Sequence, residues 1–396
     1  MKLSVSLGIF KNAVNTVCKA ISNRTTLPVL EYMYLEIKEN SILLRGNDLE
    51  LGIEYRMNAS IFEQSNTKAV LVKAHTLNDI LSKLDAENVT LSLDPNAKLN
   101  LKADAIDFDI FGLPSSEYPQ FPSIEKDIEL SMTPSMLTDF IKHTLFSVST
   151  DETKQFLNGI KIESKDNRCD FISTDGFRLS LKYAQFDEST PEFSCIVPYK
   201  TMQELLKVLT SVKTDTIQIA ISERQISFDL GNAIVLSRLI NGRFPDYKQV
   251  LPKDTRFQFK LSRQLLLNAS ERACIIASQS NFVAKFEFTE TKLTISASNS
   301  KLGDYVEELT INRLIGETDI TVSFNIKLLQ EALKIVEQQD VVFDMNSELS
   351  PCVIKPLGDA TYTHILMPIR MSEYANEVND KSDEGAPSKE PEPAVI

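Results

Sequence analysis

The feature that most constrains this chain is a set of local patterns that recurs three times along its 396 residues. Successive copies of each pattern are 124 to 128 residues apart. The patterns are helix faces that begin at Leu77, Met202 and Leu329, polar corners at Asp48, Asp175 and Asn299, and hairpins that begin at Val89, Ile217 and Val341. Because an arbitrary mixture of helices and strands would not keep three markers in phase, the spacing predicts three similar α+β domains.

Each predicted domain contains two amphipathic helices and several strands. Residues 9–21, for example, place Phe10, Val14 and Val17 on one helical face, and Thr133-Pro134 is typical of a helix start. We expect the helices to cover one face of an antiparallel sheet while the other face meets solvent. The predicted domains comprise residues 1–126, 127–254 and 255–371.

The corner of the middle domain is the most distinct of the three. Residues 171–181 predict two strands joined by a tight turn at Thr174-Asp175-Gly176. The Asp side chain can accept hydrogen bonds from its own backbone there, and Gly tolerates a positive φ. Taken alone, such a corner is most often only a turn. We also predict a strand at residues 156–160 and place the third corner at residues 296–299.

Composition excludes several classes of function. Only 12 of the 396 residues are glycine, and we find neither a Walker nor a Rossmann pattern. The five cysteines include no Cys-x-x-Cys pair, and the three histidines are scattered, so neither a zinc site nor a catalytic triad is indicated. Free thiols in a reducing cytoplasm are the simplest interpretation, and neither a signal peptide nor a membrane span is apparent.

The charge distribution adds a distinct segment at the end of the chain. The net charge is −13, which describes the average field and not the places where the cations lie. Residues 372–396 contain seven acidic side chains and two lysines, and they predict an acidic disordered tail.

Several segments together resemble a known family. In order along the chain they are Asn23-Arg24-Thr25-Thr26-Leu27-Pro28-Val29-Leu30, Phe156-Leu157-Asn158-Gly159, Ser173-Thr174-Asp175-Gly176-Phe177-Arg178-Leu179, Asn241-Gly242-Arg243-Phe244-Pro245-Asp246-Tyr247 and Leu366-Met367-Pro368-Ile369-Arg370-Met371. With the threefold period, they make the chain similar to the bacterial DNA sliding clamp, the beta subunit of DNA polymerase III, over about residues 1–371.

The resemblance implies a DNA clamp fold in which two copies form a closed six-domain ring around duplex DNA. Such a homodimer tethers the replicative polymerase, has no cofactor and catalyses no reaction. The implied partners are double-stranded DNA, the alpha subunit of DNA polymerase III, the clamp loader, and other polymerases and repair proteins that carry clamp-binding peptides, but not a membrane. A ring can slide on weak contacts, whereas a protein held only by phosphate contacts dissociates readily.

The resemblance also implies three sets of site residues. The peptide-binding pocket would comprise Leu157, Thr174, Gly176, Phe177, Arg178, Leu179, Pro245, Val250, Pro351, Ile365, Met367, Pro368, Ile369 and Arg370. The residues that contact DNA would be Arg24, Lys73, His75, Lys154 and Lys200, with Lys142 and Arg263 as further candidates on helix faces. The dimer interface would place Phe108 and Ile110 of one copy against Ile275 and Ile276 of the other.

Three positions depart from the family pattern. Phe177 stands where the family often has His, and Gln249 stands where a basic residue is common, so we expect a more apolar and less cationic pocket. Asp151 occupies a position that is polar and near DNA in the family, which puts a DNA contact there in doubt. The acidic tail is a further departure, since family members commonly end near Met371. It either weakly screens the pocket, repels DNA, or is an inert solubilising extension.

Two other classes of function compete with a clamp. A hydrolase that uses Asp175 would show turnover that Asp175→Asn abolishes, although the sequence supplies no second catalytic group at a convincing spacing. A repeat-built scaffold that binds peptides but not DNA would not be retained on circular duplex. Only a clamp would be lost from linear duplex and kept on circular duplex.

Overall fold

The computed structural model of the chain describes residues 2–22, 25, 27–38, 40–63, 69–122, 124–252 and 254–370, without the side chains of residues 61–63. The acidic segment 372–396 therefore lies outside the described residues. Within the described ranges, every helix is too short or too polar to span a bilayer.

The first third of the chain contains two helices and ten strands. The helices are α1 (Leu7–Cys18) and α2 (Ala74–Lys83). The strands are β1 (Lys2–Ser6), β2 (Tyr32–Lys38), β3 (Ser41–Asn47), β4 (Leu51–Asn58), β5 (Ser60–Glu63), β6 (Ala69–Lys73), β7 (Asn88–Asp94), β8 (Lys98–Ala103), β9 (Ile106–Phe111) and β10 (Leu113–Pro114). Two short 3-10 turns each have a proline at their start, because its ring fixes φ. Pro28–Glu31 begins with Pro28, and Ser115–Glu117 directly follows Pro114.

The middle third repeats this order. Its helices are α3 (Pro134–Leu145) and α4 (Tyr199–Leu209). Its strands are β11 (Ile128–Met132), β12 (Gly159–Lys165), β13 (Arg168–Thr174), β14 (Arg178–Gln185), β15 (Phe193–Pro198), β16 (Ile217–Ile221), β17 (Gln225–Asp229) and β18 (Ala233–Arg238). The 3-10 turns are Glu152–Leu157 and Tyr247–Gln249, and the side chains of Asp151 and Asp246 accept from the amide of the second residue of each turn.

The last third repeats it again. Its helices are α5 (Arg263–Ala277) and α6 (Ile326–Ile335). Its strands are β19 (Phe257–Ser262), β20 (Val283–Phe288), β21 (Lys292–Asn299), β22 (Gly303–Thr310), β23 (Asn312–Ile315), β24 (Ile320–Asn325), β25 (Asp340–Met345), β26 (Cys352–Pro356) and β27 (Tyr362–Leu366). Here Leu266 and Ala273 of α5 pack with Phe286 and Phe343 in one buried apolar core.

The chain divides into two compact units. The first comprises Met1–Asp139 and Val197–Asn241, and the second comprises Phe140–Ile196 and Gly242–Ile396. The first contains a five-stranded sheet in the order β5-β1-β7-β8-β9 and a nine-stranded sheet in the order β10-β6-β2-β3-β4-β18-β17-β16-β11. The second contains a nine-stranded sheet in the order β15-β12-β13-β14-β27-β26-β25-β19-β23 and a four-stranded sheet in the order β22-β21-β20-β24.

Each nine-stranded sheet therefore combines strands from two of the three repeats. In the first, β4 pairs antiparallel with β18, and Ile53 lies opposite Val235. In the second, β14 pairs antiparallel with β27, and Ser180 lies opposite His364. The repeats thus share continuous sheets, and the exact boundaries between them stay predictions.

The local predictions are mostly confirmed. The middle corner joins β13 to β14, and α3 begins at Pro134 with the Thr133 hydroxyl accepting from the amide of Met136 at 3.2 Å. The strand expected at residues 156–160 is wrong, because a 3-10 turn continues to Leu157 and the strand begins only at Gly159. The third corner is displaced, since residues 296–298 continue β21 and the chain turns after Asn299.

Candidate functional site

The three polar corners share one hydrogen-bond geometry. In each corner, one side-chain oxygen accepts from the amides two and three residues further along the chain, as in a capped turn. The distances are 3.0 and 2.7 Å for Asp48, 2.9 and 3.0 Å for Asp175, and 2.9 and 3.1 Å for Asn299. The residue after the cap has a positive φ at Gly176 and also at Leu49, where a side chain makes this conformation less favourable. The geometry therefore supports the threefold repeat independently of spacing.

The middle corner is joined to the end of β27. The amide of Met367 donates to the carbonyl of Phe177 at 2.9 Å. The first corner makes the same contact, since the amide of Arg238 donates to the carbonyl of Glu50 at 2.9 Å. The two junctions are thus structural equivalents, each within its own unit.

The chemistry at the two junctions differs. Phe177 is 45% exposed, which is high for a large apolar side chain, and Met367 beside it is partly exposed. At the first junction the equivalent residues are Glu50 and Arg238, both exposed. The middle junction therefore presents an apolar surface where the first presents opposite charges.

Arg178 lies beneath the middle corner and is buried. Its Nε donates to Asp175 at 3.0 Å, and its two terminal nitrogens donate to Glu331 of α6 and to the carbonyl of Phe146, both at 2.6 Å. The guanidinium also lies over the Phe146 ring, 5.2 Å from its centroid. Arg178 thus joins the corner to α6 and to the end of α3, whereas Arg370 is exposed.

A buried histidine lies behind the corner. His364 of β27 contacts the Ser180 hydroxyl through Nδ1 at 3.0 Å and stacks on Phe146 at 5.6 Å. Burial, with the nearby charge of Arg178, lowers the pKa of His364 to about 3. The imidazole is therefore neutral near pH 7 and acts as a packed support for the junction.

The connector after the middle domain runs along β12. Gly242 lies against Phe156, where an added Cβ would come within 2.9 Å, and the Lys161 ammonium lies 5.9 Å from the Phe244 ring centroid. Pro245 directly follows Phe244 in this connector and is partly exposed. Val250 is held by its amide, which donates to the Tyr247 carbonyl at 3.3 Å.

The predicted pocket residues thus fall into two groups. The buried ones are Leu157, Thr174, Arg178, Leu179 and Ile365. The partly or fully exposed ones are Gly176, Phe177, Pro245, Val250, Pro351, Met367, Pro368, Ile369 and Arg370. Strand pairing brings Leu179 opposite Ile365, and the amide of Ile369 donates to the Ser323 carbonyl at 2.8 Å. Strand pairing and the Phe177–Met367 contact thus bring together the pocket residues of the middle corner and of β27, whereas the assembly of the whole predicted pocket stays a prediction.

Two of the five predicted DNA contacts, Lys73 and Lys200, are engaged with the chain's own carboxylates. Arg24 lies outside the described residues. Lys73 lies 3.3 Å from Glu31, and Lys200 pairs with Asp48. His75 has its Nε2 buried without a hydrogen-bond partner among the described residues, so this nitrogen does not face solvent.

The other cationic candidates differ in their exposure and in their hydrogen bonds. Lys142 is exposed on α3, and Lys154 is partly exposed beside Asp151, which caps its own turn. The Arg263 guanidinium donates to the carbonyls of Gln338 and Leu333 at 3.1 and 3.3 Å, which satisfies the end of α6.

The predicted interface residues lie near two unpaired sheet edges. Among the described strands, β9 ends the five-stranded sheet and β22 ends the four-stranded sheet. Ile110 is buried, Phe108 is partly exposed, and Ile276 packs against the third core, whereas Ile275 is 68% exposed. Sequence reasoning missed the more exposed apolar residues of these edges, namely Ile106, Phe111 and Val306.

Comparison with known proteins gives a consistent result along the chain. Family models for the DNA polymerase III beta subunit match residues 1–122 as the N-terminal domain, 131–246 as the central domain and 248–370 as the C-terminal domain. The beta sliding clamp of Staphylococcus epidermidis is 29% identical over 376 residues, which is 93% of this chain and 99% of that protein.

Solved structures agree with this. The DNA polymerase III beta subunit of Thermotoga maritima has a TM-score of 0.87 at 28% identity, and the DNA polymerase sliding clamp of Bacillus subtilis has a TM-score of 0.85 at 25% identity. Each comparison covers 93% of this chain and 99% of the other chain.

Proposed function

The chain belongs to the DNA polymerase III beta subunit family, and from this membership we propose which of its surfaces carry out the work of a sliding clamp. It is a DNA sliding clamp, a non-catalytic processivity factor that works as a homodimer on DNA. Its proposed domains comprise residues 1–126, 127–254 and 255–371, close to the limits of the three family models.

The middle corner and the end of β27 form the proposed docking surface for partner peptides. The exposed Phe177 beside Met367 is the observation that supports it. Interfaces of this kind concentrate their energy in a few apolar anchors, so a peptide with a Leu-Phe type anchor fits the surface. Arg370 is exposed and can orient the polar end of the peptide, whereas the donors of Arg178 are engaged within the chain.

The first junction supports the choice of surface. It has the same backbone contact but carries Glu50 and Arg238, so an apolar anchor would have to desolvate two charges there. The proposed partners are the alpha subunit of DNA polymerase III, the clamp loader, and other polymerases and repair proteins that carry such peptides.

Peptide binding tests the docking surface. Phe177→Ala should weaken the binding of a labelled peptide that ends in Leu-Phe by about tenfold, because an apolar anchor loses its contact. Glu50→Ala at the first junction is the matched control and should leave the affinity unchanged. Equal affinities for wild type and Phe177→Ala would contradict the proposed surface.

The dimer contact is proposed to pair β9 of one copy with β22 of the other. Five strands joined to four would give a third nine-stranded sheet, equal in size to the two within each chain. This contact would bring together Val306 of β22 and Ile106 of β9, both of which are exposed in the single chain. Such pairing satisfies edge hydrogen bonds and covers two exposed apolar side chains.

Retention on DNA is proposed to be mechanical. Lys73 and Lys200 already pair with Glu31 and Asp48, so their attraction to phosphate is partly offset. Weak contacts suit a ring that must slide, because enclosure and not affinity keeps it on the duplex. The dimer should therefore be retained on closed circular duplex and lost after linearisation, and equal loss from both would contradict this mechanism.

The proposed location is the cytoplasm. All five cysteines are free thiols, which suits a reducing compartment. The acidic segment 372–396 lies outside the described residues, so its roles stay predictions.

A further inference from the structure

We propose that Tyr247 is a positioning residue for peptide docking, because its hydroxyl fastens the connector 242–250 onto β12 and β13. This inference rests on the docking surface proposed above. The connector carries Pro245 and Val250, two of the residues that the family resemblance adds to this docking surface as part of the peptide-binding pocket. Tyr247 itself is buried and therefore acts through its neighbours and not by touching a peptide.

The contacts of the hydroxyl are unusual for a single phenol. It lies 2.9 Å from Asp170 Oδ2 and 3.1 Å from Glu163 Oε2, so two carboxylates from neighbouring strands converge on one O–H. A phenol has one proton and donates to one acceptor at a time. Whichever carboxylate accepts, the connector is tied to the middle sheet.

Cations balance the two carboxylates. Lys161 lies 2.8 Å from Glu163, and Arg168 lies 2.5 Å from Asp170. The Lys161 ammonium also lies over the Tyr247 ring, 5.3 Å from its centroid. Burial and the adjacent Asp170 raise the pKa of Tyr247 well above its usual value, so the phenol keeps the proton that it donates.

The turn at Tyr247 carries this constraint to Val250. The Asp246 side chain accepts from the amide of Lys248 at 3.2 Å, and the amide of Val250 donates to the Tyr247 carbonyl at 3.3 Å. Pro245 precedes Tyr247 by two residues, and its ring restricts φ. Fixing one side chain therefore fixes both pocket residues of the connector.

The first connector offers an internal comparison. Its segment Tyr118-Pro119-Gln120-Phe121 matches Phe244-Pro245-Asp246-Tyr247, so the position of Tyr247 is occupied by Phe121. The Phe121 ring packs at Gly52 and lies beneath the Arg45 guanidinium, 5.1 Å away. The hydroxyl at this position thus occurs in the connector after the middle repeat, whose junction is apolar, and not in the connector after the first repeat, whose junction is charged.

The consequence is a docking surface that is ordered before a peptide arrives. Without the hydroxyl, the connector would have to be ordered during binding, and that ordering lowers affinity. Tyr247→Phe should therefore weaken the labelled Leu-Phe peptide about three- to tenfold, as expected for one lost hydrogen bond. The amides of Gln249 and Val250 should exchange with solvent faster in this variant.

The matched control is Tyr118→Phe, which removes a buried phenol oxygen from the first connector. It should change neither peptide affinity nor exchange at Gln249 and Val250. Both variants should remain dimers on sedimentation. If Tyr247→Phe does not fold, Glu163→Gln is the second variant, since it keeps the side-chain volume. It should weaken peptide binding about two- to threefold, because the hydroxyl loses one of its two carboxylate acceptors and keeps Asp170.

Two kinds of failure are distinguishable. If wild-type protein does not bind the peptide, the proposed docking surface fails. If wild type binds it and Phe177→Ala weakens it, but Tyr247→Phe and Glu163→Gln bind as wild type does, the positioning role alone is overturned. Equal losses in Tyr247→Phe and Tyr118→Phe would also overturn it, because the effect would then not belong to this connector.

Discussion

Arg178 donates to Glu331 at 2.6 Å, and this bond joins the corner of the middle repeat to helix α6 of the last repeat. The same guanidinium binds Asp175 and the carbonyl of Phe146, so three acceptors depend on one buried cation. Removing one partner of a buried ion pair costs more stability than the intact pair contributes, because the other charge is left unpaired. Arg178 is therefore more important for stability than a residue that makes only surface contacts.

Arg178→Met should lower the free energy of unfolding by about 2–4 kcal/mol, since it leaves two carboxylates and a carbonyl without their donor. Urea unfolding measures this loss. Arg370→Met, at an exposed position, is the matched control and should change stability by less than about 0.5 kcal/mol. A loss as small in Arg178→Met as in the control would contradict the structural role.

The sequence predicted the corners well because their geometry is local. An Asp or Asn that accepts from amides two and three residues further along needs no distant partner, so the pattern appears in each repeat. The third corner was placed too early because Ser296 and Ser298 have small polar side chains typical of turns, although both lie in β21. The helices could be predicted for the same reason, because the periodicity of their apolar residues is also a local pattern.

Long-range relations could not be predicted in this way. The pairing of β4 with β18 and of β14 with β27 joins segments far apart in the sequence, which local patterns do not encode. The sequence also does not reveal that the donors of Arg178 are used by Glu331 and Phe146, and the place of Arg178 in the peptide pocket, which the resemblance implies, stays a prediction. The exposure of Phe111 and Val306 likewise follows from their places on edge strands.

Val306→Glu should convert the dimer to monomers. Val306 is 66% exposed on the edge strand β22, and the proposed pairing buries it against Ile106 of the other copy, where an unpaired charge is unfavourable. Sedimentation velocity measures the oligomeric state. Leu314→Glu is the matched control, because Leu314 is also exposed on an edge strand, β23, and this variant should remain a dimer.

The same assay tests the interface from the helix side. Charging both Ile275 and Ile276 should also yield monomers, although Ile276 packs partly on its own core and its replacement lowers stability as well. If Val306→Glu and the double variant both sediment as dimers, the subunits meet elsewhere.

Stability should fall as the pH drops from 6.5 to 5. The pKa of His364 is lowered to about 3 in the folded protein, whereas an unfolded histidine titrates near its ordinary value of about 6.5. The unfolded state therefore binds more protons in this interval, so the contribution of neutral His364 is complete above pH 6.5 and is lost progressively towards pH 3. The expected loss is roughly 2 kcal/mol between pH 6.5 and pH 5.

Urea unfolding at several pH values measures how the free energy of unfolding depends on pH. His364→Asn keeps an acceptor for Ser180 but removes the titrating ring, so its stability should be less pH-dependent above pH 5. Because carboxylates titrate mainly below pH 5, the change in stability between pH 6.5 and pH 5 reports mainly on histidine. An unchanged slope in His364→Asn would show that other groups carry the dependence.

Asp48→Asn should strengthen attraction to DNA without disturbing its corner. Asn299 caps the third corner through the same pair of amide contacts, so an amide at position 48 can keep the turn. The substitution removes the carboxylate that pairs with Lys200, and the freed ammonium can then neutralise a phosphate. The affinity of the dimer for short duplex at low salt should rise about two- to threefold, with a steeper salt dependence.

The double variant with Lys200→Gln is the control, because it removes the freed cation and should return the affinity to the wild-type value or below. A gain that persists in the double variant would mean that the loss of negative charge at Asp48, and not the release of Lys200, attracts the duplex.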